Sequence, residues 1–312
     1  MKRALITGAN GFVGKHLVRE LKANDYEVFS TDREKMNLLD YEAVHATLRR
    51  IRPDYIFHLA GIAFVPTSWT DPKLVMEVNT IGSLNLFEAI RSTGLNPIVQ
   101  IAGSSEEYGL VQENECPINE DNPIRPMSTY AVSKVAMDFL GYQYFKSYGI
   151  RIIRTRAFNH EGYGRGEQYM TSSFAKQVVQ VGNGMKKAIQ HGNLLARRDI
   201  TDVRDMVRAY RLAVEGGEPG ETYNIGLGKA YSVQEILDKV IKIGEQRYPG
   251  VDFKTVEDSS RLRPSDVPLL ICDSSKFVAK TGWKPEYSIN ETLLEEIKYW
   301  EDEFKIDIGS KI

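Results

Sequence analysis

Tyr130 and Lys134 stand four residues apart in a run of helical composition, so their side chains share one face. A tyrosine at its ordinary pKa of about 10 exchanges protons poorly at neutral pH. A lysine ammonium one turn away stabilises the phenolate and makes the phenol a usable acid–base. Ser104 supplies a hydroxyl able to hold a reacting oxygen against that phenol. Spacing alone usually marks an ordinary surface pair; a second constellation decides against that reading. In Gly8-Ala9-Asn10-Gly11-Phe12-Val13-Gly14 the glycines permit a tight turn and leave a helix N-terminus facing a phosphate. Asp32 then ends the following strand, placed to accept hydrogen bonds from the ribose of an adenine dinucleotide. Its carboxylate repels a 2′-phosphate and favours NAD, whereas the adjacent Arg33 would clamp that phosphate and favour NADP. The pair leaves NAD(P) choice open, with a lean to NAD.

These residues need a scaffold that brings distant positions together. Ala4–Thr7, Tyr26–Thr31, Tyr55–Leu59, Ile98–Ala102 and Arg151–Arg156 read as strands. Between them His16–Ala23, Tyr41–Arg50, Asn79–Thr93 and Tyr130–Tyr148 read as helices. The alternation predicts an α/β fold: a Rossmann-type doubly wound parallel sheet with ligands at the carboxyl ends of its strands, and a smaller mixed α/β lobe. Beyond residue 158 the rhythm weakens. Asn159–Gln168 reads as a loop, Ile200–Val214 as a turn and helix, Glu221–Ile225 as a strand returning to the main sheet, and 230–300 as a mixed cap with two helices. The expected division is a dinucleotide-binding domain over 1–158, rejoined by 196–226, and a second lobe of 159–195 and 227–312.

Composition narrows the function classes. With 312 residues, 42% hydrophobic and 26% charged, the chain has the balance of a globular protein. A net charge of −2 offers no global attraction for nucleic acid or an acidic membrane, so an anionic ligand needs a local basic pocket. Cys116 and Cys272 match no metal or redox spacing and read as free thiols. His16, His45, His58 and His191 form no ligand set, so no metal is expected, and His160 reads as a loop anchor. No apolar run has the length of a membrane span, and the apolar stretch after Met1-Lys2-Arg3 ends in the glycine turn rather than a cleavage site. These features predict a cytoplasmic protein.

Thr7-Gly8-x-x-Gly11-Phe12-x-Gly14, Ser104 and Tyr130-x-x-x-Lys134 together resemble the extended short-chain dehydrogenase/reductases, over nearly the whole chain. The resemblance implies that Tyr130 is the acid–base, that Lys134 holds the nicotinamide ribose and that Ser104 orients the substrate. It implies a cofactor pocket of Gly8, Gly11, Phe12, Val13, Gly14, Asp32, Arg33, Asn37, Leu38, Leu59, Ala60, Gly61 and Asn79, with Tyr130 and Lys134. It also implies a homodimer or higher homo-oligomer.

Narrower stretches are similar to the branch acting on GDP-sugars. Ser104-Ser105-Glu106-Glu107-Tyr108-Gly109, Arg125-Pro126-Met127-Ser128, Phe158-Asn159-His160, Gly192-Asn193-Leu194, the run from Arg198 to Asp205 and the run from Arg261 to Val267 resemble the GDP-4-keto-6-deoxymannose reductases. By that similarity the second lobe binds the nucleotide sugar: Asn159, Arg198 and Arg263 would contact its diphosphate, and Met170 would lie near the base. Two arginines are suited to bidentate contacts with a diphosphate. Glu106 points elsewhere. In GDP-mannose 4,6-dehydratases a glutamate two residues after the hydroxyl residue serves water loss across C5 and C6. Asn159-His160-Glu161 and Arg165-Gly166-Glu167 also resemble the dehydratases. Against this, residues 32–57 are compact and lack the long insertion of those enzymes. The expectation is reduction of the 4-keto group of a GDP-4-keto-6-deoxyhexose. The alternatives are a 4,6-dehydratase with bound NAD(P), another nucleotide-sugar epimerase or dehydratase, and a noncatalytic nucleotide-sensing module.

Overall fold

The computed structural model describes residues 1–261 and 269–306. The chain begins β1 (Lys2–Thr7), α1 (Phe12–Ala23), β2 (Tyr26–Thr31), α2 (Tyr41–Ile51) and β3 (Tyr55–His58). Two short helices, α3 (Thr67–Thr70) and α4 (Pro72–Met76), lead through a widened turn over Glu77–Ile81 into α5 (Gly82–Thr93). Next come β4 (Ile98–Ser104), α6 (Thr129–Tyr148), β5 (Ile152–Ala157), β6 (Asn159–Glu161), α7 (Met170–Gly182) and β7 (Ile189–His191). The remainder is β8 (Arg197–Asp202), α8 (Val203–Gly216), β9 (Thr222–Ile225), β10 (Ala230–Ser232), α9 (Val233–Arg247), β11 (Thr255–Glu257), β12 (Leu269–Leu270), α10 (Ser275–Thr281) and α11 (Ile289–Glu303).

Six strands form one parallel sheet in the order β2-β1-β3-β4-β5-β9. Its central strands are apolar on both faces because helices cover both. Leu17 and Leu21 of α1 and Met206 and Tyr210 of α8 pack on one side. Val44 of α2, Leu86 and Ile90 of α5 and Met137 of α6 pack on the other. The strand order reverses between β1 and β3, whose last residues Thr7 and His58 are register partners. A crevice therefore opens at the carboxyl ends of those strands, where such sheets bind ligands. The parallel sheet and flanking helices are those read from the sequence.

The rest of the chain departs from that reading in its details. Arg197–Asp202 is a strand, not a turn, and lies in a separate sheet ordered β10-β8-β12, with β6 also paired to β8. The alternating pattern is hidden by a buried acid. The Asp199 carboxylate accepts from the amides of Leu227 (2.8 Å), Gly228 (2.8 Å) and Cys272 (3.0 Å), which knits three segments together. The segment expected as a loop from 159 begins instead with β6, and turns only at Gly162, whose φ is 147°. Among the described residues three helices, not two, follow residue 230; α10 has seven residues, too few for a periodic signal. Around a second core of Phe174, Val178, Ile236, Leu237 and Leu293, helices α7, α9 and α11 pack together. Among the described residues no helix is long and apolar enough to cross a membrane.

Candidate active site

The glycine turn forms one wall of the crevice. Gly8 has a φ of 72°, and a Cβ there would lie 2.9 Å from the Ala60 backbone. A Cβ on Gly14 would lie 2.4 Å from the Gly8 carbonyl oxygen, so the loop closes only without side chains. Gly11 begins α1 with no side-chain cap, and no acidic residue occupies the first turn, which carries Phe12, Val13 and Gly14. That helix end is a cradle for a phosphate rather than for a cation. Asp32 follows β2; one carboxylate oxygen accepts from the Glu34 (3.1 Å) and Lys35 (3.0 Å) amides and the other from the Asn10 side chain. Arg33 beside it is exposed, as is Asn37, while Leu38 is buried against Gly82.

Below the crevice a neutral imidazole ties the strands together. Burial, with a smaller push from Lys134, holds the His58 pKa down to about 3. The ring then needs one donor and one acceptor as partners, and finds both. The Ala60 amide donates to Thr7 Oγ1 (3.1 Å), which lies 2.9 Å from His58 Nδ1, and His58 Nε2 lies 2.9 Å from Ser83 Oγ. Ser83 in turn donates to the Asn79 carbonyl (2.5 Å). Asn79 Oδ1 accepts from the Ile62 amide (2.7 Å), and its Nδ2 donates to the Ile62 carbonyl (3.1 Å) and Ser133 Oγ (2.9 Å). Leu59, Ala60 and Gly61 are thereby fixed as the floor; a Cβ on Gly61 would lie 2.9 Å from Asn79 Oδ1 and 3.8 Å from Lys134 Nζ.

The opposite wall carries the hydroxyl groups. Ser128 caps α6 by accepting from the Ala131 amide (3.1 Å), which places Tyr130 in the first helical turn. Ser104 ends β4, and its side chain is hydrogen-bonded to that of Tyr130. Lys134 Nζ donates to the Ala102 carbonyl (2.8 Å) and sits 5.9 Å from the Tyr130 ring centre. Burial lowers the Lys134 pKa to about 8, with Glu107 acting in the opposite direction. The lowering of the phenol pKa is expected of Lys134 together with a positive nicotinamide; in the chain by itself the balance runs the other way. Burial raises the pKa, the Ser104 bond opposes the rise, and Glu106, Glu107 and Tyr169 add to it. Glu106 is half-buried, close enough to Tyr130 to act on its charge. The structure thus brings Ser104, Glu106, Tyr130 and Lys134 together.

The remaining expected residues follow β5 in the chain. Asn159 leaves β5 directly and pairs with Ile200. Met170 starts α7 and is half-buried against that lobe's core. Arg198 lies on β8 with Nη1 donating to the Arg197 carbonyl (2.9 Å). Arg263 lies outside the described residues. His160 is an anchor: its Nδ1 is 2.9 Å from the Phe158 carbonyl and its ring stacks on Phe12. Other residues near the site were given no role from the sequence, although Arg165 and Glu107 stand in the quoted motifs. The Arg165 guanidinium lies 4.8 Å from the Phe12 ring centre and 3.4 Å from that of Tyr169, linking the glycine turn to the second lobe. Glu107 and Arg156 form a buried ion pair (3.1 Å) beneath Ser104. The available signal was charge inside a strand, since Arg154 and Arg156 stand in an otherwise uncharged run.

Among the described residues no group of three His, Cys, Asp or Glu is placed to hold a metal ion. With this geometry established, comparisons with known proteins are specific. The sequence profile of the family described as GDP-mannose 4,6 dehydratase matches residues 33–296. GDP-6-deoxy-D-mannose reductase of Pseudomonas aeruginosa is 30% identical over 303 residues, covering 96% of this chain and 97% of that protein. GDP-mannose 4,6-dehydratase of Vibrio cholerae is 30% identical over an alignment of 346 residues, covering 94% of this chain and 92% of that protein. The solved structure of RMD from Pseudomonas aeruginosa complexed with NADPH superposes with a TM-score of 0.90 at 30% identity, covering 97% of this chain and 100% of that one. From the profile, the relatives and the shared fold, this chain belongs to the GDP-mannose 4,6-dehydratase family of short-chain dehydrogenase/reductase-type enzymes.

Proposed function

We propose that this protein reduces the 4-keto group of a GDP-4-keto-6-deoxyhexose, using NAD(P)H. The observation that carries the reading is the Tyr130 phenol, bonded to Ser104 and held in its protonated form by burial, across a crevice from the glycine cradle. Reduction of a ketone needs a proton delivered to the oxygen as charge develops there, and a buried phenol is an acid suited to that task. When bound, the dinucleotide supplies hydride to C4. Tyr130 donates its proton to the C4 oxygen, and Ser104 holds that oxygen in reach. Lys134 holds the nicotinamide ribose and places a positive charge behind the phenol. The fifteen-residue cofactor set from Gly8 to Lys134 keeps the assignments implied by family resemblance, with the phosphate on the α1 N-terminus. Glu106 positions a sugar hydroxyl, Asn159, Arg198 and Arg263 hold the GDP diphosphate, and Met170 borders the base.

One observation favours a second reading, a 4,6-dehydratase: the Glu106 carboxylate lies beside Tyr130, where elimination would need a base or acid. Chain length favours the first. The alignment with the Pseudomonas reductase needs 303 columns, whereas that with the Vibrio dehydratase needs 346, more than this chain's 312 residues. The dehydratase therefore has segments without counterpart here, and the link from β2 to α2 spans only residues 32–40. Mass spectrometry separates the readings. Consumption of GDP-4-keto-6-deoxymannose with oxidation of NADH or NADPH supports the reductase. Formation of that ketosugar from GDP-mannose without added cofactor supports the lyase.

We propose further that the nucleotide-binding domain comprises 1–158 with 196–226 and the sugar lobe 159–195 with 227–312, β8 being the strand shared at their junction. Exposed Val132, Phe139 and Tyr142 on α6 support a homo-oligomer. The free thiols of Cys116 and Cys272 fit the reducing cytoplasm.

A further inference from the structure

The two glutamates after Ser105 part company: Glu106 is half-buried beside Tyr130, whereas Glu107 is fully buried beneath Ser104. We propose that Glu107 is a positioning residue for the reduction, tying the end of β4 to the helix that carries Tyr130 and Lys134. This role rests on the reductase reading above. One Glu107 oxygen accepts from the Ser104 amide at 2.7 Å, and the other lies 3.1 Å from Arg156 Nε. The same Arg156 nitrogen lies 3.1 Å from an Asp138 oxygen, one helical turn beyond Lys134 on α6. The other Asp138 oxygen accepts from Arg154 at 2.6 Å. Arg156 Nη1 also donates to the Tyr108 hydroxyl (3.0 Å), which donates to Asn224 of β9 (2.7 Å).

Strand β4 and helix α6 are therefore joined twice. Lys134 reaches Ala102 directly, and Ser104 reaches Asp138 through Glu107 and Arg156. Gly103 makes room for the second link, since a Cβ there would lie 2.5 Å from Glu107 Oε1. A buried ion network adds little stability over an apolar replacement of the same shape, so its geometry is the part that calls for a role. Ser104 and Tyr130 must stay at one separation for both to address a single substrate oxygen, and this network sets it. Charge acts in the same direction. Glu107 faces Arg156, Asp138 and Lys134; Lys134 faces Glu107 and His58; Tyr130 faces Glu106, Glu107 and Tyr169. Burial, and next Asp138, push the Glu107 pKa up to about 8, with Arg156, the Ser104 amide and Lys134 opposing the rise; once ionised, Glu107 favours the protonated forms of both Lys134 and Tyr130.

Glu107→Gln keeps an oxygen for the Ser104 amide but sets an NH2 group against the Arg156 guanidinium, donor against donor. For the ketosugar, kcat is expected to fall about tenfold or more with KM within about twofold. The alkaline limb of the kcat profile should move to lower pH as Lys134 loses a favourable charge. A lower Tm with kcat and the pH limb unchanged would overturn the proposal. Glu107→Gln/Arg156→Gln, which removes both charges together, gives the same comparison if the single variant does not fold. NMR titration of isotope-labelled Lys134 in the cofactor-free protein needs no turnover. A lower midpoint in Glu107→Gln supports the role, and an unmoved midpoint overturns it. A midpoint that shifts as expected in Glu107→Gln, with a wild-type protein that never reduces the ketosugar, would refute the reductase reading instead.

Discussion

On the proposed reduction the side chains around Tyr130 divide the work between holding a proton and holding an oxygen. Burial, Glu106, Glu107 and Tyr169 keep the phenol protonated, while Ser104 offers the hydroxyl contact. Tyr130→Phe removes the proton and leaves the ring, so turnover should fall about 100-fold or more with cofactor affinity kept. Steady-state rates and a fluorescence titration with NADH or NADPH test this; near-wild-type turnover would sink the assignment. On the proposed reduction Lys134 sets the upper pH limit. Burial lowers its pKa to about 8, so the ammonium persists below that pH and is lost above it. Because the proposed reduction uses the charged form, kcat should be level below about pH 8 and fall about tenfold per unit beyond it. A rate that stays level to pH 10 contradicts this role. At the cofactor's other end, Asp32 is held by Asn10 and two backbone amides, close to where a ribose would lie, with Arg33 exposed beside it. If the carboxylate dominates, the protein prefers NADH, and Asp32→Ala should raise affinity for NADPH. A strong wild-type preference for NADPH would mean that Arg33 outweighs it.

At the scale of elements, what the sequence revealed depended on the range of the interactions involved. The glycine turn and the Tyr130–Lys134 face were legible because turn sterics and helical spacing act over a few residues. Glu107, Arg156 and Asp199 were not, since each is a buried charge whose partners come from other strands or loops. Before its partners are known, a charge in a strand reads as exposure, and at β8 this hid the strand itself. Met170–Gly182 was assigned no element from the sequence, although its apolar residues fit a helix. Strand β8 also carries Arg198, on the central strand of the smaller sheet. Arg198→Ala should weaken GDP-sugar binding by about 2 kcal/mol, the value of charge-assisted hydrogen bonds to a phosphate, and leave NAD(P) binding alone. The same is expected for Arg263→Ala. Calorimetric titration with GDP-mannose checks both, and unchanged affinity in the two variants would remove them from the diphosphate site.

The molecule as a whole must choose between two uses of one active site. In a reduction the cofactor leaves oxidised and must be exchanged, whereas an internal oxidation and elimination returns it to its starting state. Elimination from a 4-keto sugar further requires a base at C5 and an acid at the C6 hydroxyl, and Glu106 beside Tyr130 is the carboxylate able to serve it. Reduction at C4 needs only the phenol and its Ser104 partner. Glu106→Gln keeps the side chain's shape and much of its hydrogen bonding while removing the proton transfer. On the reductase reading the variant should therefore retain a substantial part of its ketosugar reduction, within about tenfold of wild type. On the dehydratase reading it should nearly abolish water loss while C4 oxidation remains visible as reduced cofactor held on the protein. The compact path from β2 to α2 and the shorter alignment with the Pseudomonas reductase favour the first outcome. Efficient dehydration of GDP-mannose by the wild-type protein, stopped by Glu106→Gln, would reverse the choice and move Glu106 from a binding role to the centre of the chemistry.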